Sequence, residues 1–246
     1  MTFAVLSDVH ANREALAAVL HEVDRIGTDA LLFLGDLVGY NADPEPCVEA
    51  VLGRAAAAVR GNHDKAVAGL MGLDWFNPVA AEAARWTRRA VAAGTLARLA
   101  GIPAGPLAVA GGVLLCHGTP ADEDEYLVPG PPVAEAFRTL ERSHPDARFC
   151  LHGHTHVPFA AESREGRIRW LDAAEVRLDT AVRYLLNPGS VGQPRDGNAR
   201  ASFGILDLSR GAWRVVRVPY DVEGARAGIV AARLPAELAG RLTAGW

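Results

Sequence analysis

Four short apolar runs, Phe3–Leu6, Ala30–Leu34, Ala56–Val59 and Val113–Cys116, and a fifth segment of the same kind, Arg148–Leu151, each stop abruptly at a polar cluster. Runs of this length bounded by turn residues predict strands buried on both faces. Between the first two, Leu16, Val19, Leu20 and Val23 recur at three- and four-residue intervals, which predicts an amphipathic helix over Arg13 to Ile26. Asn12 is its plausible cap and Gly27 its stop. A second helix runs through Val48 and Val51 before the third strand. Strand alternating with helix is the doubly wound α/β pattern, whose sites form at the carboxyl ends of the strands.

The pattern changes twice further on. From Ala66 to about Ala100 it becomes Ala-rich and helical, a helical excursion covering one end of the sheet, with Trp75 and Trp86 expected in the core rather than as a base-stacking platform. An apolar face over Ala80 to Leu99 is either core or a surface for a second copy of the chain, a homo-oligomer. From Pro158 onward the texture is all-β, with strands expected at Ile168–Leu171, Arg183–Leu186, Phe203–Leu208 and Trp213–Val218, the last two joined by a hairpin at Ser209–Ala212. A terminal helix over Val222 to Leu242 is expected to break at Gly228 and Pro235. No repeat or linker divides the chain, so residues 1–246 read as one domain with two packed sheets.

Composition narrows the partners. Half of the 246 residues are hydrophobic, ample for a core, and the net charge of −4 comes from interspersed signs. No basic stripe suggests nucleic acid, whereas a small anionic substrate fits a locally cationic site. Cys47, Cys116 and Cys150 read as reduced core thiols, and neither a leader nor an apolar stretch of about 20 residues is evident. The expectation is a cytoplasmic protein with no membrane association.

The polar clusters at the strand ends carry the chemistry. They are Asp8-Val9-His10, Gly35-Asp36, Gly61-Asn62-His63-Asp64, His117-Gly118 and Gly153-His154-Thr155-His156. Asp8-x-His10 alone could be a strand-exit turn; the other four blocks answer it. Carboxylates, a carboxamide and imidazoles form a mixed N/O donor set suited to Mn²⁺, Fe, Co²⁺, Ni²⁺ or Zn²⁺, unlike a thiolate site or an all-oxygen Ca²⁺ cage. His21 and His144 read as solvent-facing, His152 as a core residue or one lying behind the ligands, and the acidic run Asp122–Glu125 as a solvated loop or a flap.

In this order the five blocks resemble the calcineurin-like metallophosphoesterases, over residues 1 to about 195. Gly35–Tyr40 and Asn187–Arg195 are most similar to the small bacterial and archaeal phosphodiesterases of that superfamily. The resemblance implies an α/β fold, a four-layer αββα sandwich of two mixed sheets flanked by helices. It implies two divalent ions, Mn²⁺ foremost, one held by Asp8, His10 and His156, the other by Asn62, His117 and His154, with Asp36 bridging. A hydroxide shared by the ions would attack phosphorus in line. His63 would contact the phosphoryl oxygen or protonate the leaving group. Arg195, and with it Arg200, are candidate phosphate clamps; Asn12 is a phosphate donor or equally a helix cap.

Departures from the pattern narrow it. Val38-Gly39-Tyr40-Asn41 stands where Ser/Thr protein phosphatases and symmetrical dinucleoside tetraphosphate hydrolases carry an Asp-Arg-Gly, and Tyr40 lies one residue beyond the tyrosine ligand of purple acid phosphatases. The expected function is a metal-dependent phosphodiesterase acting on a small anionic phosphoester. A nucleotide or phosphomonoester phosphatase is the alternative. An inactive interaction scaffold is disfavoured because no ligand position is missing.

Overall fold

The computed structural model describes residues 1–246. The chain begins with β1 (Thr2–Leu6), α1 (Arg13–Ile26), β2 (Ala30–Phe33), α2 (Pro44–Leu52) and β3 (Ala55–Ala58). The helical excursion follows as α3 (Asn62–Ala68), α4 (Pro78–Ala90) and α5 (Ala93–Ala100). Next come β4 (Leu107–Val109), β5 (Val113–Leu115), α6 (Pro131–Ser143), β6 (Phe149–Leu151), β7 (Phe159–Arg164), β8 (Arg167–Trp170), β9 (Glu175–Arg177) and β10 (Arg183–Asn187). The chain closes with β11 (Ala201–Asp207), β12 (Ala212–Val218), α7 (Val222–Ala231) and α8 (Ala236–Ala244).

Two mixed six-stranded sheets result, ordered β3-β2-β1-β11-β12-β9 and β4-β5-β6-β10-β7-β8. In each, three adjacent strands run parallel, β1 with β2 and the edge strand β3 in the first, β5 with β6 and β10 in the second. Strand periodicity of two decides what packs where. Phe3 and Val5 on one face of β1 join Leu32, Val113, Leu115, Phe149, Leu151 and Trp213 in a core between the sheets. Ala4 and Leu6, on the other face, pack with Leu16, Val19 and Val23 of α1 and with Val48 and Val51 of α2. Leu114, Cys150 and Leu185 turn outward from the second sheet onto Val133, Phe137 and Leu140 of α6. The layers are therefore helix, sheet, sheet, helix. The continuous apolar runs of β1, β2, β5 and β6 follow from this, since both strand faces are covered, each buried large aliphatic side chain contributing about 1.5–3 kcal/mol.

Several expectations are corrected. Gly228 does not interrupt α7, because its backbone carbonyl still accepts the Ala232 N–H at 2.9 Å; the break is at Arg233–Pro235. β4, β7 and β9 are strands the pattern did not reveal, β7 because Ala160, Ala161, Glu162 and Ser163 lack the β-branched signature, yet all four are buried. The apolar face of α4 (Ala80, Ala81, Ala83, Ala84) is buried within the chain, and Ala80 and Ala83 pack in one cluster with Ile229, Leu238 and Leu242 of the two C-terminal helices. Trp86 is half-buried against that cluster, but Trp75 is 91% exposed. No helix is long and apolar enough to cross a membrane.

Candidate metal centre

The carboxyl ends of the parallel strands of both sheets open on one place, and backbone bonds knit the loops that leave them. Asp8 N–H donates to Gly35 O and Gly192 N–H to Asp8 O, both at 2.9 Å; Gly153 N–H donates to His117 O at 2.9 Å. Asp8, His10, Asp36, His154 and His156 all have positive φ, between 48° and 67°. Each such residue costs of order 1–3 kcal/mol, and a cluster of them marks a site where side-chain placement outweighs backbone comfort.

Two groups of donor atoms result. Those of Asp8, His10, Asp36 and His156 lie within 4.8 Å of one another, as do those of Asp36, His117 and His154, so Asp36 belongs to both. Asn62 joins the second group, its Oδ1 3.3 Å from His117 Nε2. All seven expected ligands are thus brought together.

The imidazoles are oriented from behind by main-chain carbonyls. Nδ1 of His10 meets Val38 O at 3.0 Å, Nδ1 of His117 meets Leu34 O at 2.7 Å, Nδ1 of His156 meets Gln193 O at 2.6 Å, and Nε2 of His154 meets Asp124 O at 3.0 Å. A carbonyl can only accept, so each of these nitrogens carries the proton and the opposite nitrogen presents a lone pair to the centre. His10 Nε2 and His156 Nε2 then face each other at 3.1 Å, two lone pairs with nothing to donate between them. Asp8 Oδ1 lies 3.3 Å from the same His156 atom and has no hydrogen-bond partner. Such converging acceptors are a fit for a cation.

The electrostatics agree. Burial pushes His10 and His156 well below the ordinary histidine range and His154 down to about 3, keeping them neutral. His117 is the exception: burial opposes its charge, but the carboxylates of Asp36 and Asp8 outweigh it and lift the imidazole to about 9, so its Nε2 carries a proton that a metal ion would have to displace. For Asp36, burial favours the neutral acid, yet His117, His63 and His10 hold it well below the carboxylate range; Asp8, mainly through burial, rises to about 7.

His63 is treated differently. Its backbone N–H donates to Asp36 Oδ1 at 2.9 Å, but its Nδ1 is buried without any partner, so no carbonyl turns it into a ligand. The ring is held by aromatic edges, with centroids 4.5 Å from Tyr40 and 4.8 Å from Phe76, and burial lowers it to about 4. Gly39 is required here, since a Cβ on its left-handed backbone would run into His63 Nδ1.

Beyond the donors lies a pocket of about 450 Å³, lined on one side by Asp36, Asn62, His63, His154 and His156 and on another by Tyr40 and Arg195. Arg195 is half-buried, with long contacts to Tyr40 Oη (3.4 Å) and Gln193 Oε1 (3.5 Å), an interaction with Tyr126, and Nε unpaired. Asn12 does not line it. Its Oδ1 accepts from Ala15 N at 3.1 Å and its Nδ2 donates to Gly192 O at 2.9 Å, so the phosphate-donor expectation gives way to the cap. Arg200 is exposed and bonded to Asn198. His21 is exposed, His144 half-buried, and His152 fully buried against Asn187.

Two further contributors lie on the loop expected as solvated or as a flap, and one of them, Tyr126, escaped the sequence reading. The acidic run is fastened to the site: Glu123 takes Arg60 and Lys65, and Asp124 takes Lys65, which is only 6% exposed. Tyr126, just beyond, stacks on His154 at 3.8 Å between centroids. Tyr126 had no local signal, because a Pro/Gly-rich loop has no periodicity to place its side chains.

Comparison with known proteins gives a consistent result. Residues 1–211 match the model of the calcineurin-like phosphoesterase superfamily domain. An uncharacterized protein of Methanocaldococcus jannaschii is 39% identical over 246 residues, covering 98% of this chain and 97% of its own. A metallophosphoesterase from Sphaerobacter thermophilus superposes with a TM-score of 0.84 at 36% identity, covering all of this chain and 99% of its own. A hypothetical protein from Pyrococcus horikoshii OT3 shares the fold, with a TM-score of 0.80 at 17% identity over 100% and 98% of the two chains.

Proposed function

Since the chain belongs to the calcineurin-like phosphoesterase superfamily, we propose that it is a phosphoester hydrolase that binds two divalent metal ions and prefers phosphodiesters. The observation that carries the metal reading is the set of four imidazoles whose outward nitrogens are tied to carbonyls while their lone pairs converge on buried carboxylates. One ion would be held by Asp8, His10 and His156, the other by Asn62, His117 and His154, with Asp36 shared between them. Bound there, two such ions lower the pKa of water and neutralise charge developing on the phosphoryl oxygens. Mn²⁺ is the first candidate, with Fe, Ni²⁺, Co²⁺ and Zn²⁺ compatible with the same donors.

The chain's own residues do the rest. Arg195, a half-buried guanidinium with an unpaired Nε at the pocket wall, is suited to a phosphoryl oxygen. His63, in the pocket yet without a carbonyl to make it a ligand, is placed to hydrogen-bond the phosphoryl or leaving oxygen; lowered to about 4, it does so as a neutral imidazole through its ring N–H. Two divalent charges set against Asp8, Asp36 and the attacking hydroxide would leave a net charge of about +1, matching the single charge of a diester better than the double charge of a monoester. A pocket of about 450 Å³ also has room for a second ester substituent.

Hydrolysis of bis(p-nitrophenyl) phosphate and p-nitrophenyl phosphate by chelator-stripped protein, then after adding Mn²⁺, Ni²⁺ or Zn²⁺, tests this. Metal-restored cleavage faster on the diester and lost in Asp36→Asn is expected. A monoester preference would favour the nucleotide or phosphomonoester phosphatase reading. No turnover with two ions bound per chain would sink the enzymatic one.

A further inference from the structure

One wall of the pocket is unaccounted for by phosphoryl chemistry. Opposite the polar floor, the segment between α3 and α4 contributes Met71, Trp75, Phe76 and Asn77. Trp75 presents its indole to solvent, 91% exposed, at a pocket that otherwise ends in metal donors. Tyr126, 48% exposed and seated flat on His154, stands on the side of the acidic loop. An exposed indole buries no area within the chain, so its place beside a cavity is unexplained by folding.

The pocket is therefore bipolar. Its floor suits one phosphoryl group and its outer wall a flat, largely apolar one. Charge restricts the rest of the ligand. Of the acidic run Asp122–Glu125, Asp124 lines the pocket; it and Glu123 are paired with Lys65 and Arg60, while Asp122 and Glu125 have no cationic partner and leave the loop net negative. A second phosphate reaching outward from the floor would meet that negative loop, which disfavours polynucleotides and polyphosphates. A planar group with N–H donors on its edge would not be repelled. Asn77 adds polar capacity, since its Oδ1 is engaged by Ala80 N as the helix cap while its amide N–H groups remain for an acceptor.

Resting on the phosphoesterase reading above, we propose that the wall around Trp75 is a nucleobase subsite. The substrate class is then a nucleoside phosphodiester with one phosphate, its base stacked on Trp75 and its phosphoryl group over the metal donors. Stacking of a base on an aromatic side chain is worth enough to change affinity about tenfold or more.

Calorimetric titration of the Mn²⁺-loaded full chain with adenosine 5′-monophosphate and with ribose 5-phosphate, in wild type, Trp75→Ala and Trp75→Phe, tests the subsite. Wild type is expected to bind the nucleotide about tenfold more tightly than the sugar phosphate, Trp75→Ala to bind the two nearly alike, and Trp75→Phe to restore most of the difference. Equal affinities in wild type, a preference that survives Trp75→Ala, or no binding of either ligand would overturn it. The binding result is separable from the catalytic one. A protein that hydrolyses aryl phosphodiesters but does not distinguish the two ligands loses the base subsite alone. One that keeps a Trp75-dependent preference but cleaves no ester loses the catalytic reading alone.

Discussion

Asp64 illustrates how a residue that touches no ligand can set the centre. Its carboxylate accepts the backbone N–H groups of Asp36 and Leu37 at 2.9 Å, Gly61 at 3.0 Å and Val38 at 3.3 Å. It thereby clamps the end of β2 to the start of α3 and sets Asp36 where both donor groups share it. Gly61 completes the clamp, because a Cβ there would collide with the Asp36 carboxylate. Asp64→Ala leaves buried N–H donors unpaired, a loss of about 1–3 kcal/mol for each that water cannot reach. We expect a destabilisation of about 3 kcal/mol or more in urea denaturation, together with reduced Mn²⁺ binding, and a smaller loss in Asp64→Asn, whose amide oxygen still accepts. Normal metal content in a stable Asp64→Ala protein would refute the clamp.

Among the elements, the acidic loop holds one imidazole of the centre, since His154 is oriented by Asp124 O and covered by Tyr126. The loop is fastened by Arg60 and Lys65, the latter on α3. Burial alone would raise the Glu123 carboxyl, but its hydrogen bonds from Arg60 and Lys65 outweigh that and hold it below its ordinary 4.5. A depressed carboxyl contributes stability that is present above its unfolded value and lost as pH falls through its folded one. Amide hydrogen exchange across residues 119–127 should therefore keep its protection from pH 7 to about 5 and lose it only at more acid pH. In Lys65→Met, protection should be weaker already at pH 7. Equal exchange in the variant would show that the loop holds itself. The excursion helices behave as amphipathic surfaces with a partner inside the chain, α4 closing on the C-terminal helices through alanines, whose small side chains allow close helix approach.

For the whole molecule, metal and fold are linked. The donors come from the ends of strands in both sheets and from loops joined only by tertiary hydrogen bonds, so the unfolded chain cannot assemble them. Ions that bind only the folded chain stabilise it by about 2.7 kcal/mol at a hundredfold excess over Kd. For a chain of this length that is a rise in Tm of roughly 5–10 °C. Calorimetry of stripped protein with and without Mn²⁺ should show it, and Asp36→Asn should abolish most of it. An unchanged Tm at saturating metal would contradict the linkage.

The sequence by itself determined the α/β order, the parallel strands and their ends, and the seven residues whose donor atoms cluster there, because apolar runs, helical spacing and donor types are local properties of the chain. Even the fully buried strands were legible, since covering both faces demands unbroken apolar runs. Tertiary structure alone decided what depends on contacts between distant segments. It made Asn12 a cap tied to Gly192, joined Lys65 to the acidic run, and set Tyr126 on His154. It also left Trp75 outside. An indole reads as core in any local window; whether it finds neighbours depends on where a turn-rich segment runs across a surface built by other elements.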